Sequence, residues 1–334
     1  MVAPKVAVIV LNWNGKHFMK ECLDSLLKQG YKNHVIYFVD NFSSDDSVDF
    51  VRKFYKSKSI KIMALDKNYG FAEGNNIGIR EAMKDKTIKY FIILNNDTRV
   101  DPKFIEEFVK GAQRHKEAGS FASKIVMYSN PGIVDSAGMM FYKNCMPAGR
   151  GAGEPAEKYS EEIAVFGAPG AAAMYTREML IDIAPDRNYY DPEFFIYQEE
   201  FDLSWRAKLH GWFCFYIPKA IVHHIGSGVM RKFSKRAKYL LERNRIWAMS
   251  KNMNKSVLLY SLPHVIIYEI VSLPFYTLGG YLPAVIRGRI DGIRGIRKFS
   301  RKKGLIQISS AEQISWMVNR NYAETFKSTF LGGG

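Results

Sequence analysis

Two acidic clusters, one in each half of the chain, have the residue types for chemistry. Asn95-Asn96-Asp97 closes the apolar run Tyr90-Phe-Ile-Ile-Leu94, and Glu199-Glu200-Phe201-Asp202 opens the segment Leu203-Ser-Trp-Arg206. A carboxylate at the end of a buried strand and three more at a helix start can meet in one cleft. There they would hold a divalent metal and a general base, a pairing that points to group transfer from a phosphorylated donor. An acidic helix start is also favoured by the helix dipole alone, so the meaning of the clusters depends on the elements that place them.

Strands alternate with amphipathic helices through the first half. Val6–Leu11 leads to a helical pattern at Phe18, Cys22, Leu23, Leu26 and Leu27, and Val35–Val39 leads to Val48, Val51 and Phe54. Ile60–Leu65 then precedes Ala72–Met83, and Tyr90–Leu94 precedes Phe104–Val109. This repetition predicts a mainly parallel, Rossmann-like α/β sheet covered on both faces, with ligands at the carboxyl ends of its strands. Polar residues fall at those ends: Asn12 and Asn14, Asp40 and Asn41, Asp66 and Asn68, Asn95 and Asp97. Any one of them is also a common cap or turn former, as Asp45 and Asp46 are expected to be; four strand ends in succession ask for a ligand. The glycine-rich Gly70–Gly78 has neither dinucleotide spacing nor a phosphate-loop Lys-Ser/Thr, and reads as a helix start bringing backbone close to a ligand.

Apolar and aromatic content is ample for a large core. Three widely spaced cysteines, Cys22, Cys145 and Cys214, fit neither a disulfide framework nor a zinc site and favour a reducing compartment. The formal charge of +15 is uneven: Arg231 to Lys303 holds 17 Lys and Arg against Glu242, Glu269 and Asp291. Anionic partners, whether lipid or nucleic acid, are open on charge alone.

Five ordered motifs carry a resemblance. Val10-Leu-Asn-Trp-Asn14, Val39-Asp-Asn-Phe-Ser-Ser-Asp-Asp-Ser47, Asn68–Gly78, Leu94-Asn-Asn-Asp-Thr98 and Phe195–Arg206 resemble the motifs of family-two inverting glycosyltransferases with the GT-A fold. The closest branch looks rhamnosyltransferase-like, and the resemblance runs from about residue 5 to 250. It implies that Asp40 contacts the nucleotide base, with Asn12, Asn14 and Asn68 lining the nucleoside pocket and Asn41, Asn95 and Asn96 completing the donor-binding set. Asn95-Asn96-Asp97 stands where the family has Asp-x-Asp, so Asp97 would bind Mg²⁺ or Mn²⁺ on the donor diphosphate. In Pro218–Ser227, His224 matches the metal-linked histidine of the family, with His223 as the alternative. Glu200 takes the position of the general base, with Glu in place of Asp, while Glu199 and Asp202 position acceptor, metal or base. The small-residue segment Gly167–Met174, with Gly170, resembles the one beneath the donor sugar.

The implied domains are a catalytic part over 1–230, with a nucleotide-sugar half to about 100 and an acceptor half to 230, and a basic, apolar helical part over 231–330. From Ser256 to Ile286 the one charged side chain is Glu269, and prolines at 263, 274 and 283 are expected to break a straight helix. Amphipathic helices lying in a membrane interface are expected, with a packing layer or homodimer surface and a spanning hairpin as alternatives. The expected function is transfer of a sugar from a UDP- or dTDP-sugar donor to a hydroxyl of a lipid-linked saccharide or polysaccharide acceptor. It would take place at an anionic membrane surface, on the cytoplasmic face of the cell membrane. The alternatives are a polyprenyl- or dolichyl-phosphate acceptor, and a non-catalytic basic protein binding membrane or nucleic acid. No recognisable nucleic-acid module is present, so nucleic acid is not expected as a partner.

Overall fold

Each apolar run of the first half forms a strand whose two faces are covered by different helices. The computed structural model describes residues 3–226, 234–302 and 309–318. In it β1 (Lys5–Asn12), β2 (His34–Asp40), β3 (Ile60–Ala64) and β4 (Ile88–Asn95) pair in parallel in the order β3-β2-β1-β4. The helices between them are α1 (Lys16–Leu27), α2 (Ser47–Phe54) and α3 (Gly70–Met83). Alternation along β1 divides the core: Val6, Val8 and Val10 pack with Leu23, Leu26 and Phe108, whereas Ala7 and Ile9 pack with Ala72 and Ile79. Asp45 rather than Asp46 caps the second loop, accepting the backbone N–H of Ser47 at 3.2 Å and that of Lys16 at 2.8 Å.

The second half extends the same sheet. β5 (Thr98–Val100), α4 (Phe104–Arg114), β6 (Ala118–Met127) and β7 (Val134–Ser136) come first, followed by the hairpin β8 (Met139–Tyr142) and β9 (Pro147–Gly149). Then come β10 (Ile163–Val165), β11 (Ala172–Thr176), α5 (Arg177–Ile183), α6 (Glu199–Leu209) and β12 (Phe213–His224). β11 runs antiparallel between β4 and β6, and β12 returns parallel to β6. The described sheet reads β10-β12-β6-β11-β4-β1-β2-β3, with β5 and β7 on short branches.

Three helices follow: α7 (Lys235–Asn252), α8 (Lys255–Leu278) and α9 (Leu282–Ser300); α10 (Ser310–Ser315) and β13 (Met317–Val318) close the described chain. Arg231, Lys232, Ser227 and Lys303 lie outside the described residues. α9 lies very close to α7, since a Cβ on Gly288 would come 2.5 Å from the Tyr239 carbonyl oxygen. One expectation is corrected here. α8 is continuous over 24 residues through Pro263 and Pro274. Both prolines are exposed, and Leu259 and Ile270, whose carbonyls lose their i+4 donors, are exposed at 69% and 66%. Its one acidic residue, Glu269, faces inward, where its carboxylate joins Arg245 at 2.8 Å and also Arg289. Glu242 completes this cluster, 3.0 Å from Arg245 and 3.1 Å from Arg289.

The boundary expected at residue 230 falls ahead of α7, but α7 packs into the catalytic half. Trp247 and Phe299 stack at 4.4 Å against Phe194. Lys251 and Asn252 reach Asp202 of α6 at 3.0 and 2.8 Å.

Candidate active site

Strand register does the first step of assembly. Asn12 lies beside Asp40, and Leu11 beside Asn95, so the polar ends of β1, β2 and β4 form one row. A cavity of ≈ 540 Å³ opens over that row, with Trp13, Asn41, Asn68, Asn95, Asn96 and Asp97 on its wall. A cleft of ≈ 770 Å³ lies at the opposite ends of the strands, around Lys5, Thr87 and Glu178. None of the strand-end Asn and Asp residues lines it, so the chemistry belongs to the smaller cavity.

The expected donor-binding residues divide into wall and support. Asn12 is fully buried; its Nδ2 donates to Asp40 Oδ1 at 2.8 Å and its Oδ1 accepts from Asn96 Nδ2 at 2.7 Å. Asp40 also accepts the backbone N–H and hydroxyl of Ser43 at 2.9 and 2.6 Å. Asp40 and Asn12 therefore brace the loops from beneath the cavity. Asn14, in a left-handed conformation at φ 50°, accepts the Ser44 N–H at 2.8 Å and ties the first loop to the second. Asn41 is on the wall, donating to Asn68 Oδ1 at 3.0 Å and accepting the Tyr69 N–H at 2.9 Å. Gly70, at φ +79°, also lines the cavity; a Cβ there would strike Phe195 at 2.5 Å.

β5 and the end of β12 pair antiparallel, His224 opposite Thr98, which sets His224 against Asp97. His224 Nε2 is 3.4 Å from Asp97 Oδ1, and His224 Nδ1 is 2.7 Å from Asp135 Oδ2. His223 turns the other way, to Asp101 at 3.0 Å. Burial pulls the His224 pKa down, but hydrogen bonds and charges of Asp135 and Asp97 outweigh it and push it up to about 10. The pair of carboxylates thus calls for positive charge between them, and a divalent cation meets that demand while displacing the Nε2 proton. Two ligands about 2.1 Å from one ion lie roughly 3.0–3.4 Å apart at right or tetrahedral angles. Asp97 and His224 fit such an ion.

The acidic tetrad divides as well. Glu199 is buried and Glu200 half-buried. Glu200 Cβ is 3.9 Å, and Phe71 Cζ 3.4 Å, from where a Cβ on Gly170 would stand. Phe71 is cavity wall, as are Phe195, Ile196 and Tyr197 just ahead of α6, whereas Glu199, Glu200 and Gly170 are not among the residues that line the cavity. Burial raises both pKa values, and that of Glu199 rises further through the charge and hydrogen bond of Glu200. Of the two, Glu199 is the more easily protonated. Asp202 faces away, accepting from Arg206, Lys251 and Asn252 at 2.8–3.0 Å. Burial would raise its pKa, but Lys251 and Arg206 hold it down at about 2. It fastens α6 to α7 and does not meet the cavity.

The loop into α6 is strained. Phe195, Tyr197 and Gln198 all have φ between 65° and 71°. The Phe195 carbonyl accepts the Phe71 and Ala72 N–H groups, and Asn244 Nδ2 lies within 3.0 Å of the Phe194, Ile196 and Tyr197 carbonyls. Arg236, at the start of α7, also lines the cavity. Asp135, Asn244 and Arg236 escape sequence reasoning. The signals available were a lone carboxylate after the apolar pair Ile133-Val134 and a lone Asn, a poor helix former, inside a helix.

The fold is shared with known proteins. The model of glycosyl transferase family 2 matches residues 7–184, more than half of the chain, and the protein belongs to that family. The family read from the five motifs is therefore the right one. An uncharacterised glycosyltransferase of Haemophilus influenzae is 28% identical over 136 residues, 40% of this chain and 41% of that protein. The chain thus spans about two fifths of that relative. Among solved structures, GalNAc-T7 with UDP, GalNAc and Mn²⁺ has a TM-score of 0.64 at 16% identity, over 98% of this chain and 58% of its own. TarS 1-349 of S. aureus in complex with UDP-GlcNAc gives 0.58 at 16%, over 90% and 84%. These likenesses establish the GT-A fold.

Proposed function

We propose that this chain is a metal-assisted, inverting glycosyltransferase that moves a sugar from a nucleoside diphosphate, UDP or dTDP favoured, to a saccharide hydroxyl. The observation that carries this reading is the division of charge around one cavity. Asp97 and His224 line it as the candidate cation site, and the acidic start of α6, Glu199 and Glu200, follows directly on its wall residues Phe195, Ile196 and Tyr197. The similarity to structures holding UDP with Mn²⁺, and UDP-GlcNAc, supports the donor class. Asn41, Asn68 and Trp13 form the nucleoside wall, with Asn12 and Asp40 bracing it. Asp97 and His224 would hold Mg²⁺ or Mn²⁺, which would neutralise charge on the departing diphosphate. Glu200 takes the acceptor proton as the new C–O bond forms at the anomeric carbon and the bond to the diphosphate breaks, so configuration inverts. Glu199 beside it, raised by burial and by Glu200, is the more easily protonated of the two. The transferred sugar is a hexose or a deoxyhexose, the latter as in the rhamnosyltransferase-like branch that the motifs resemble.

The acceptor is assigned to a lipid-linked saccharide at the cytoplasmic face of the cell membrane. Fourteen of the eighteen exposed large apolar side chains among the described residues lie on α8 and α9. Arg287, Arg294 and Arg297 stand among them, and each basic residue near an anionic surface contributes about 1 kcal/mol. α8 is long and apolar enough to cross a membrane by composition; inward-facing Glu269, bound to α7 and α9, favours a helix lying in the interface. The test is Glu200→Gln, expected to keep donor binding and to lower turnover about 10²–10⁴-fold. Near-normal turnover would remove Glu200 as base and favour a lipid-phosphate acceptor, which is already ionised.

A further inference from the structure

Asp135 stands on the two-stranded edge β6–β7, held there by Val126 opposite Val134 and Ile125 opposite Ser136. It belongs to none of the five motifs, yet it lines the cavity and lies 2.7 Å from His224 Nδ1. We propose that Asp135 is a positioning residue for the metal site: by accepting the Nδ1–H of His224 it fixes the tautomer whose Nε2 lone pair faces the cation shared with Asp97. This rests on the reading of Asp97 and His224 as metal ligands.

The backbone of His224 is already fixed. Its carbonyl accepts the Tyr128 N–H at 2.9 Å, and the next N–H, of Ile225, goes to the Asp97 carbonyl at 3.0 Å. What remains free is the ring: its rotation, and which nitrogen carries the proton. An ionised carboxylate only accepts, so the nitrogen facing Asp135 must be the donor. The other nitrogen then presents its lone pair on the side of Asp97. Without Asp135 the neutral ring can place its proton on Nε2 and bond to Asp97, blocking both ligands at once. Asp135 is not a third ligand of the same ion, because the two ring nitrogens point to opposite edges of the imidazole. A carboxylate behind a metal-bound histidine is the arrangement that orients the ring and raises its basicity.

The full-length protein is titrated with Mn²⁺, in the presence of whichever of UDP, dTDP and GDP the wild type binds most tightly, and free Mn²⁺ is read by electron paramagnetic resonance. Asp135→Ala is expected to weaken Mn²⁺ binding about 10–100-fold, with turnover recovering at high Mn²⁺, and Asp135→Asn, which keeps an acceptor oxygen, to fall between. Unchanged Mn²⁺ affinity in Asp135→Ala, where Asp97→Ala loses it, overturns the role of Asp135 and leaves the metal site standing. Unchanged affinity in both removes the metal reading itself. Nitrogen NMR of the wild type with Mg²⁺ and the same nucleotide needs no variant to fold. A proton on Nδ1 of His224 supports the proposal, and a proton on Nε2 overturns it.

Discussion

Asn244 offers the sharpest test of how the proposed base, Glu200, is held. Its side chain is fully buried, and its Nδ2 lies 2.9, 3.0 and 2.8 Å from the carbonyls of Phe194, Ile196 and Tyr197. Two amide protons serve three acceptors, so the clamp supplies about two hydrogen bonds. The loop it holds has three non-glycine residues at positive φ, Phe195, Tyr197 and Gln198, a conformation that the surrounding contacts must impose. Asn244→Ala removes two bonds worth about 1 kcal/mol each and leaves buried carbonyls unpaired, for a loss of roughly 2–4 kcal/mol. In a chain of this size that lowers the melting temperature by about 4–8 °C. Relaxation of Tyr197 and Gln198 shifts the first turn of α6, and a displacement of about 1 Å at Glu200 lowers kcat roughly 100-fold. Asn244→Asp is isosteric but faces the same carbonyls with acceptors alone, so it must be worse than Ala in both melting and turnover. Melting curves and steady-state kinetics on the three proteins decide it. An Asp variant with wild-type stability and kcat would refute the clamp.

Asp97→Ala should abolish Mg²⁺- or Mn²⁺-supported donor binding with the melting temperature little changed; donor affinity insensitive both to this substitution and to EDTA defeats the assignment. Glu199 has a folded-state pKa raised well above the ordinary 4.5, so the fold binds a proton that the unfolded chain releases, and stability falls as pH rises above about 4.5. Glu199→Gln, which cannot ionise, should therefore melt higher than wild type at pH 8 and converge with it near pH 4.5; a gap that does not widen with pH sinks the shared-proton pair. Leu259→Glu with Ile270→Glu, both on the outward face of α8, should abolish flotation with anionic liposomes without altering the melting temperature, and high salt should weaken but not abolish flotation of the wild type. If the wild type stays in the soluble fraction at low salt and sediments as a dimer, that face is a subunit contact.

The donor side of the site was legible because it rests on local order. Strand–helix alternation fixes a parallel sheet, and parallel pairing then aligns Asn12, Asp40 and Asn95 without further information. The start of α6 at Glu199 was legible for the same reason. What the tetrad does was not. Asp202 is one turn beyond Glu199, and its role depends on Lys251 and Asn252 of α7, about fifty residues later. Asp135 and Asn244 act singly through long-range contacts, so no spacing announces them. Two prolines promised a broken helix; α8 stays whole because both face outward, and the side on which a proline falls is set by tertiary packing.

The two halves of the chemistry stand on different foundations. Asp97 and His224 are held by backbone pairing between β5, β12 and β6, within a sheet whose both faces are buried. Glu200 follows a strained loop that is held open from α3 on one side and from α7 on the other. Through the Glu242–Arg245–Glu269–Arg289 cluster, of which Glu242 and Arg245 are buried and Glu269 and Arg289 half-buried, α7 is in turn joined to α8 and α9, the helices with the exposed apolar face. Breaking a buried ion cluster by removing one member leaves an uncompensated charge, so these three helices move as a unit or not at all. A displacement of α8 therefore reaches the base before it reaches the donor site. With Glu200 as the proposed base, α7 and the helices joined to it support the loop that precedes it through Asn244.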